Sequence, residues 1–115
     1  MLASLTIRPT LIERIGYSQR DDPNLLEIIS EVEMGIDGER VNKYGLEREG
    51  WLRKNGRLVV PNVNALRDVV LRECYHLKLT IHPSGNKMYR DMKQTYYWEE
   101  MKRDIGKFIS KCMNC

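Results

Sequence analysis

The sequence predicts an α+β chain, mainly helical, in which N-terminal helices and a small antiparallel β-meander lead into a three-helix bundle. Three observations carry that prediction. Apolar residues recur at helical spacing before residue 35 and again after residue 64. Between those stretches, turn dipeptides interrupt short apolar runs. Beyond them, the two histidines and two of the three cysteines of the chain gather at the ends of predicted helices.

Thr10-Leu11-Ile12-Glu13 reads as a capping box, in which the threonine hydroxyl and the glutamate three residues on satisfy each other's backbone donors. A short helix over about 10–19 follows. Asp22 can cap a second helix with Pro23 in its first turn, where the missing N–H costs nothing. Leu25, Ile28, Ile29 and Val32 share one face of it, and Gly35 supplies the stop. The acidic residues here read as solvated helix faces. Residues 36–44 lack a period and read as linker.

Glu49-Gly50 and Asn55-Gly56 are turn signals, and Asn-Gly between apolar runs is a strong hairpin cue. They predict a meander over about 45–60, closed by Pro61. A sheet that small must pack on a helix to be stable. Leu66, Val69, Val70, Cys74 and Leu77 then define a helix over about 64–77, with Asn62 or Asn64 as its cap. Pro83 and Gly85 break the pattern. Met88, Tyr89, Met92 and Tyr96 define a further helix over about 86–95, and Trp98, Met101, Ile105, Phe108 and Ile109 a last one over about 98–111. This divides the chain into a helical leader and linker (1–44), a β-meander (45–62) and a helical module (63–115).

At 115 residues the chain has room for one ordinary domain or two very small ones, which excludes any large multidomain enzyme. No run of eighteen apolar residues occurs, and the N-terminus lacks a basic segment ahead of an apolar one, so no membrane partner is expected. Three cysteines make no disulfide framework, which suggests an intracellular location. The net charge of +3 hides an asymmetry: residues 1–50 carry 6 basic against 10 acidic residues, and residues 51–115 carry 13 against 6. The second half is therefore the candidate surface for a polyanion.

His76, His82, Cys112 and Cys115 have the chemistry of a zinc site, with four nitrogen and thiolate donors arranged as adjacent pairs from two segments. Two helices returning antiparallel would bring such pairs together. A C-x2-C pair also serves dithiol redox chemistry, but usually at the start of a helix, where the dipole lowers a thiol pKa; here the pair follows a helix. Cys74, on the apolar face, reads as a small buried hydrophobe. Arg103, Lys107 and Lys111 recur every four residues on the last helix, and Lys87, Arg90 and Lys93 extend the basic ridge. Such a ridge suits sequence-independent contact with DNA phosphates. The aromatics Tyr89, Tyr96, Tyr97 and Trp98 read chiefly as core at this spacing.

The stretch ECYHLKLTIHPSGNKMYRDMKQTYYWEEMKRDIGKFISKCMNC resembles the zinc-binding N-terminal domain of Ty3/gypsy-type retrotransposon integrases. The pieces that carry the resemblance are IHPSGNKMYRDMK, YYW followed by MKRDI, and FISKCMNC. GRLVVPN and LASLTIRPTLIERI are similar to the polyprotein segment that leads into such an integrase. The resemblance implies a non-catalytic module that binds Zn2+ and supports DNA binding and multimerisation, with no small-molecule substrate. A nuclear or cytoplasmic location goes with it. It also implies that the catalytic core would start beyond Cys115, the chain being a fragment of a larger polyprotein.

The same resemblance puts the first metal-binding histidine at the position of Tyr75, where Glu73-Cys74-Tyr75 stands for Glu-Ala-His. His76 is one residue late, and one residue turns a helical side chain by about 100°. Two rival readings stay open beside the integrase one. One is a metal-stabilised protein-interaction module or retroelement remnant without DNA binding; the other is a dithiol redox protein using Cys112 and Cys115.

Overall fold

The computed structural model describes residues 10–77 and 85–113. Its elements in order are α1 (Leu11–Ser18), a 3-10 turn (Gln19–Asp21), α2 (Pro23–Glu33), β1 (Tyr44–Leu46), β2 (Leu52–Lys54), β3 (Arg57–Val59), α3 (Leu66–Leu77), α4 (Gly85–Met92), β4 (Tyr96–Tyr97) and α5 (Met101–Met113). The α+β class is as the sequence predicts.

Both N-terminal helices start on the caps expected of them. Thr10 Oγ1 accepts from the Glu13 N–H at 3.2 Å, and the Glu13 carboxylate accepts from the Thr10 N–H at 2.8 Å. Asp22 Oδ1 accepts from the Asn24 N–H at 3.0 Å, with Pro23 opening α2. Its second oxygen accepts from the Asn62 N–H at 2.8 Å, so the α2 cap also ties down the segment leaving β3.

Strands β1, β2 and β3 form the antiparallel meander. Asn55 and Gly56 both have positive φ, 49° and 81°, as a two-residue primed turn requires. The sheet gains a fourth strand that the sequence did not suggest. Tyr96 and Tyr97 pair with Leu58 and Val59 in parallel, giving the order β1-β2-β3-β4. A two-residue strand is too short for alternation to reveal it. Tyr96, which was expected on the face of a helix over 86–95, lies outside it because α4 ends at Met92.

Two further boundaries differ from expectation. The third helix starts at Leu66 rather than Asn64, because Asn64 and Ala65 are both left-handed, with φ of 51° and 55°. Neither Asn62 nor Asn64 therefore sits directly before the first helical residue. The last helix starts at Met101 rather than Trp98, after Glu100 at φ 70°. Trp98 is instead a loop anchor, almost fully buried, whose indole N–H donates to Asp104 Oδ2 at 2.9 Å.

The sheet separates two apolar layers, as alternation along β3 dictates. Val59, with Leu52, faces Leu25, Ile28 and Ile29 of α2. Leu58 and Val60 face the opposite way, into a larger core with Ile15, Val70, Met88, Met92, Trp98, Ile105 and Ile109. This core fixes the relative placement of α3, α4 and α5. No helix among the described residues is long and apolar enough to cross a membrane.

Candidate metal centre

The three C-terminal helices converge at one end. Tyr75, in the last turn of α3, packs its ring edge-on against Phe108 of α5, with centroids 5.5 Å apart. Phe108 lies one turn before Cys112. The first residue of α4, Gly85, sits against α5 as well: a Cβ placed on it would stand 3.9 Å from the Gly106 Cα. Thus the end of α3 and the start of α4 meet the middle of α5.

Two of the candidate ligands, His76 and Cys112, lie on the helix turns next to these contacts. His76 is in the last turn of α3, and Cys112 is on the final turn of α5. His82, three residues before Gly85, and Cys115 lie outside the described residues. Among the described residues, no three His, Cys, Asp or Glu side chains come together as a metal site. His76 is exposed, with its ring 6.1 Å from that of Tyr75. The helix stays α-helical through Leu77, so Tyr75, rather than His76, packs against α5. Cys74 is half-buried and packs against the larger core.

Zinc suits the donor chemistry of His76, His82, Cys112 and Cys115, and the end of α3, which carries His76, packs on α5 one turn before Cys112. The first donor is the weak point. Zinc takes imidazole nitrogen and thiolate sulfur, so the phenol of Tyr75 is a poor replacement for a histidine ligand. Its packing on Phe108 supplies an aromatic contact worth about 0.5–1.5 kcal/mol. A metal–imidazole bond at the same place would contribute more, because zinc affinity in such modules is folding energy. Tyr75→His is therefore expected to tighten zinc and raise the melting temperature, measured by competition with a chromophoric chelator and by thermal unfolding. Unchanged values for both would remove the proposed register.

The basic residues expected to meet DNA, Lys87 and Arg90 on α4 and Arg103, Lys107 and Lys111 on α5, are all exposed. Lys87 pairs with Asp91 at 3.6 Å, and Arg103 with Glu100 at 2.9 Å and Asp104 at 3.4 Å. Exposed pairs of this kind contribute about 0–1 kcal/mol and yield readily to a phosphate.

Residues 62–115 match the integrase zinc binding domain. The matched span contains α3, α4, β4 and α5 together with all four candidate ligands, and it leaves α1, α2 and β1–β3 outside. The match to the integrase zinc binding domain agrees with Zn2+ as the cofactor. No curated protein and no solved structure matches the chain.

Sequence reasoning missed two residues that position this module. Gln19 is nearly fully buried and links α1 to the sheet, donating from Nε2 to the carbonyls of Leu52 and Val59 at 2.9 and 2.8 Å. The signal was present: Ile12, Ile15, Gly16 and Gln19 lie at i, i+3, i+4 and i+7, so an amide sits on the buried stripe of α1. Arg67 is the other. Its guanidinium lies 5.7 Å from the Trp98 ring, and its Nε donates to the Val60 carbonyl at 3.2 Å. Burial lowers its pKa and Asp22 opposes that shift, while the charge pins the start of α3 to the sheet.

Proposed function

We propose that the chain is a non-catalytic zinc-binding module of a Ty3/gypsy-type retrotransposon integrase, supporting DNA binding and multimerisation during integration. The observation that carries this reading is the match of residues 62–115 to the integrase zinc binding domain. The packing of α3 and α4 on α5, through Tyr75 on Phe108 and Gly85 beside Gly106, supports it. The catalytic core of an integrase is not in this 115-residue chain.

In this reading His82, Cys112 and Cys115 hold zinc, with His76 as the fourth and weakest donor. When bound, the metal joins the end of α3 and the start of α4 to the end of α5. The role of the chain's own residues is mechanical: Tyr75 on Phe108 and Gly85 on Gly106 set the spacing of the helix ends. Lys87, Arg90, Arg103, Lys107 and Lys111 then meet phosphates from exposed helix faces. The leader at 1–44 and the sheet region at 45–62 brace the zinc module at 63–115, and the protein works in the nucleus or cytoplasm.

A titration with duplex DNA at several salt concentrations tests the DNA role. Affinity is expected to fall with salt, and Lys107→Ala should reduce the log–log slope by about 0.9, the value for one released phosphate counterion. Absence of binding at low salt, or affinity that ignores salt, would leave a metal-stabilised protein-interaction module in its place.

A further inference from the structure

Beside the α4–α5 ridge, and sharing Lys93 with it, the sheet side carries a set of cations with an unusual setting. Lys54 Nζ lies 4.2 Å from the centre of the Tyr97 ring, and Arg57 Cζ lies 5.0 Å from the same ring. Lys93 and Lys102 rest on Tyr89 in the same way, at 5.4 and 5.8 Å. These four cations come from β2, β3, the turn after α4, and α5. Among the described residues, none of the four has a carboxylate within ion-pairing distance, whereas Arg20, Arg40, Arg53 and Arg103 each do.

The two rings belong to one continuous surface. Tyr89 and Tyr97 line a groove of about 530 Å³ with Arg57 and Lys102. Tyr97 is also a wall of a neighbouring groove of about 890 Å³ that contains Lys54 and Tyr44. Glu99 and Glu100 line both grooves, and Arg103 holds Glu100.

We infer that this surface binds a nucleic-acid strand with unpaired bases, its phosphates on Lys54, Arg57, Lys93 and Lys102 and its bases against Tyr89 and Tyr97. The inference deepens the DNA-binding reading above and rests on it. Both tyrosines are half-buried, and Lys54 Nζ also donates to the Tyr97 hydroxyl at 3.0 Å; such contacts are weak, so a cation can swing to a phosphate and leave the open part of the ring face to a base. Cations paired with rings match a strand that offers phosphates beside unpaired bases. A duplex keeps its base faces stacked inside and cannot use them either. Stacking on aromatic side chains is the general means by which proteins prefer single strands.

The test is fluorescence anisotropy of the full chain with a labelled oligo-dT of about 15 nucleotides, compared with a duplex of the same length, over a salt series. The single strand is expected to bind more tightly than the duplex. Lys93→Ala with Lys102→Ala, both on exposed side chains, should weaken the single strand and lower its salt slope by about 1.4, at roughly 0.7 per cation. Tyr89→Leu should weaken it roughly five- to 150-fold with little change in slope. The double-lysine variant, checked for its helical circular dichroism, guards against loss of fold in the tyrosine variant. Single-strand binding unchanged in the double variant, or equal to that of the duplex, overturns the inference while leaving DNA binding by the helix ridge in place. Failure of both nucleic acids to bind at low salt overturns the ridge reading as well.

Discussion

Gln19→Leu should be the most damaging single substitution in the N-terminal half of the chain. Arg53 pairs with Leu58 and Lys54 with Arg57, so Leu52 and Val59 would form the next rung between β2 and β3. The Gln19 amide takes that place. It donates to both carbonyls and accepts from the Leu52 N–H at 2.6 Å. Leucine would leave three buried backbone groups without partners, each costing about 1–3 kcal/mol. Relaxation will recover part of that, so a loss of roughly 3–5 kcal/mol is expected in urea unfolding. Gln19→Glu keeps the shape but removes both donors and faces two carbonyls with an acceptor. It should destabilise by a similar amount at neutral pH and by less in acid, where the protonated carboxyl donates once. An unchanged urea midpoint for either variant would mean that the amide is not the link between α1 and the sheet.

Gly16→Ala should be the second large effect, with a sign opposite to helix propensity. Alanine in a helix interior normally gains about 1 kcal/mol over glycine. Here the new Cβ would stand 2.2, 2.3 and 2.5 Å from atoms of the Trp51 ring. Such distances require the whole indole to move, and with it the edge-on contact between Trp51 and Tyr17 at 5.8 Å. Overpacking of this kind costs about 1–3 kcal/mol, and displacing a ring from the core adds lost burial. The net expectation is a destabilisation of about 2 kcal/mol, or a melting temperature lower by roughly 8 °C. A Gly16→Ala protein as stable as the parent would show that Trp51 is free to leave α1 without cost.

The parts of the fold that were legible in the sequence are those set by local chemistry. The Thr10–Glu13 box, the Asp22-Pro23 start and the Asn55-Gly56 turn each need only neighbouring residues, and each appears where expected. The parts that were not legible depend on distant partners. Tyr96 and Tyr97 become a strand only because β3 offers an open edge, and two residues carry no period. Asn64 and Ala65 adopt left-handed backbone, a choice that an alanine gives no warning of. Gln19 was visible as an amide on an apolar stripe, but its partners lie 33 and 40 residues away.

The candidate site was legible as chemistry more than as geometry. Histidines and cysteines at helix ends named the metal class, and the matched family is a zinc-binding one. Tyr75, which stands where the resemblance expects the first histidine, is the residue that packs on α5, while His76 is exposed. The cation–tyrosine surface was hidden in the sequence because Lys54, Arg57, Tyr89 and Tyr97 meet only through the fourth strand.

In the proposed reading, zinc joins the ends of α3 and α5. It is tested most directly by elemental analysis of the full chain purified without chelator, followed by thermal unfolding before and after chelation. One zinc per chain is expected, and its removal should lower the melting temperature and loosen α3–α5, since structural zinc supplies folding energy directly. A chain that carries no zinc, and whose melting is the same with and without chelator, would mean that no metal holds α3 to α5.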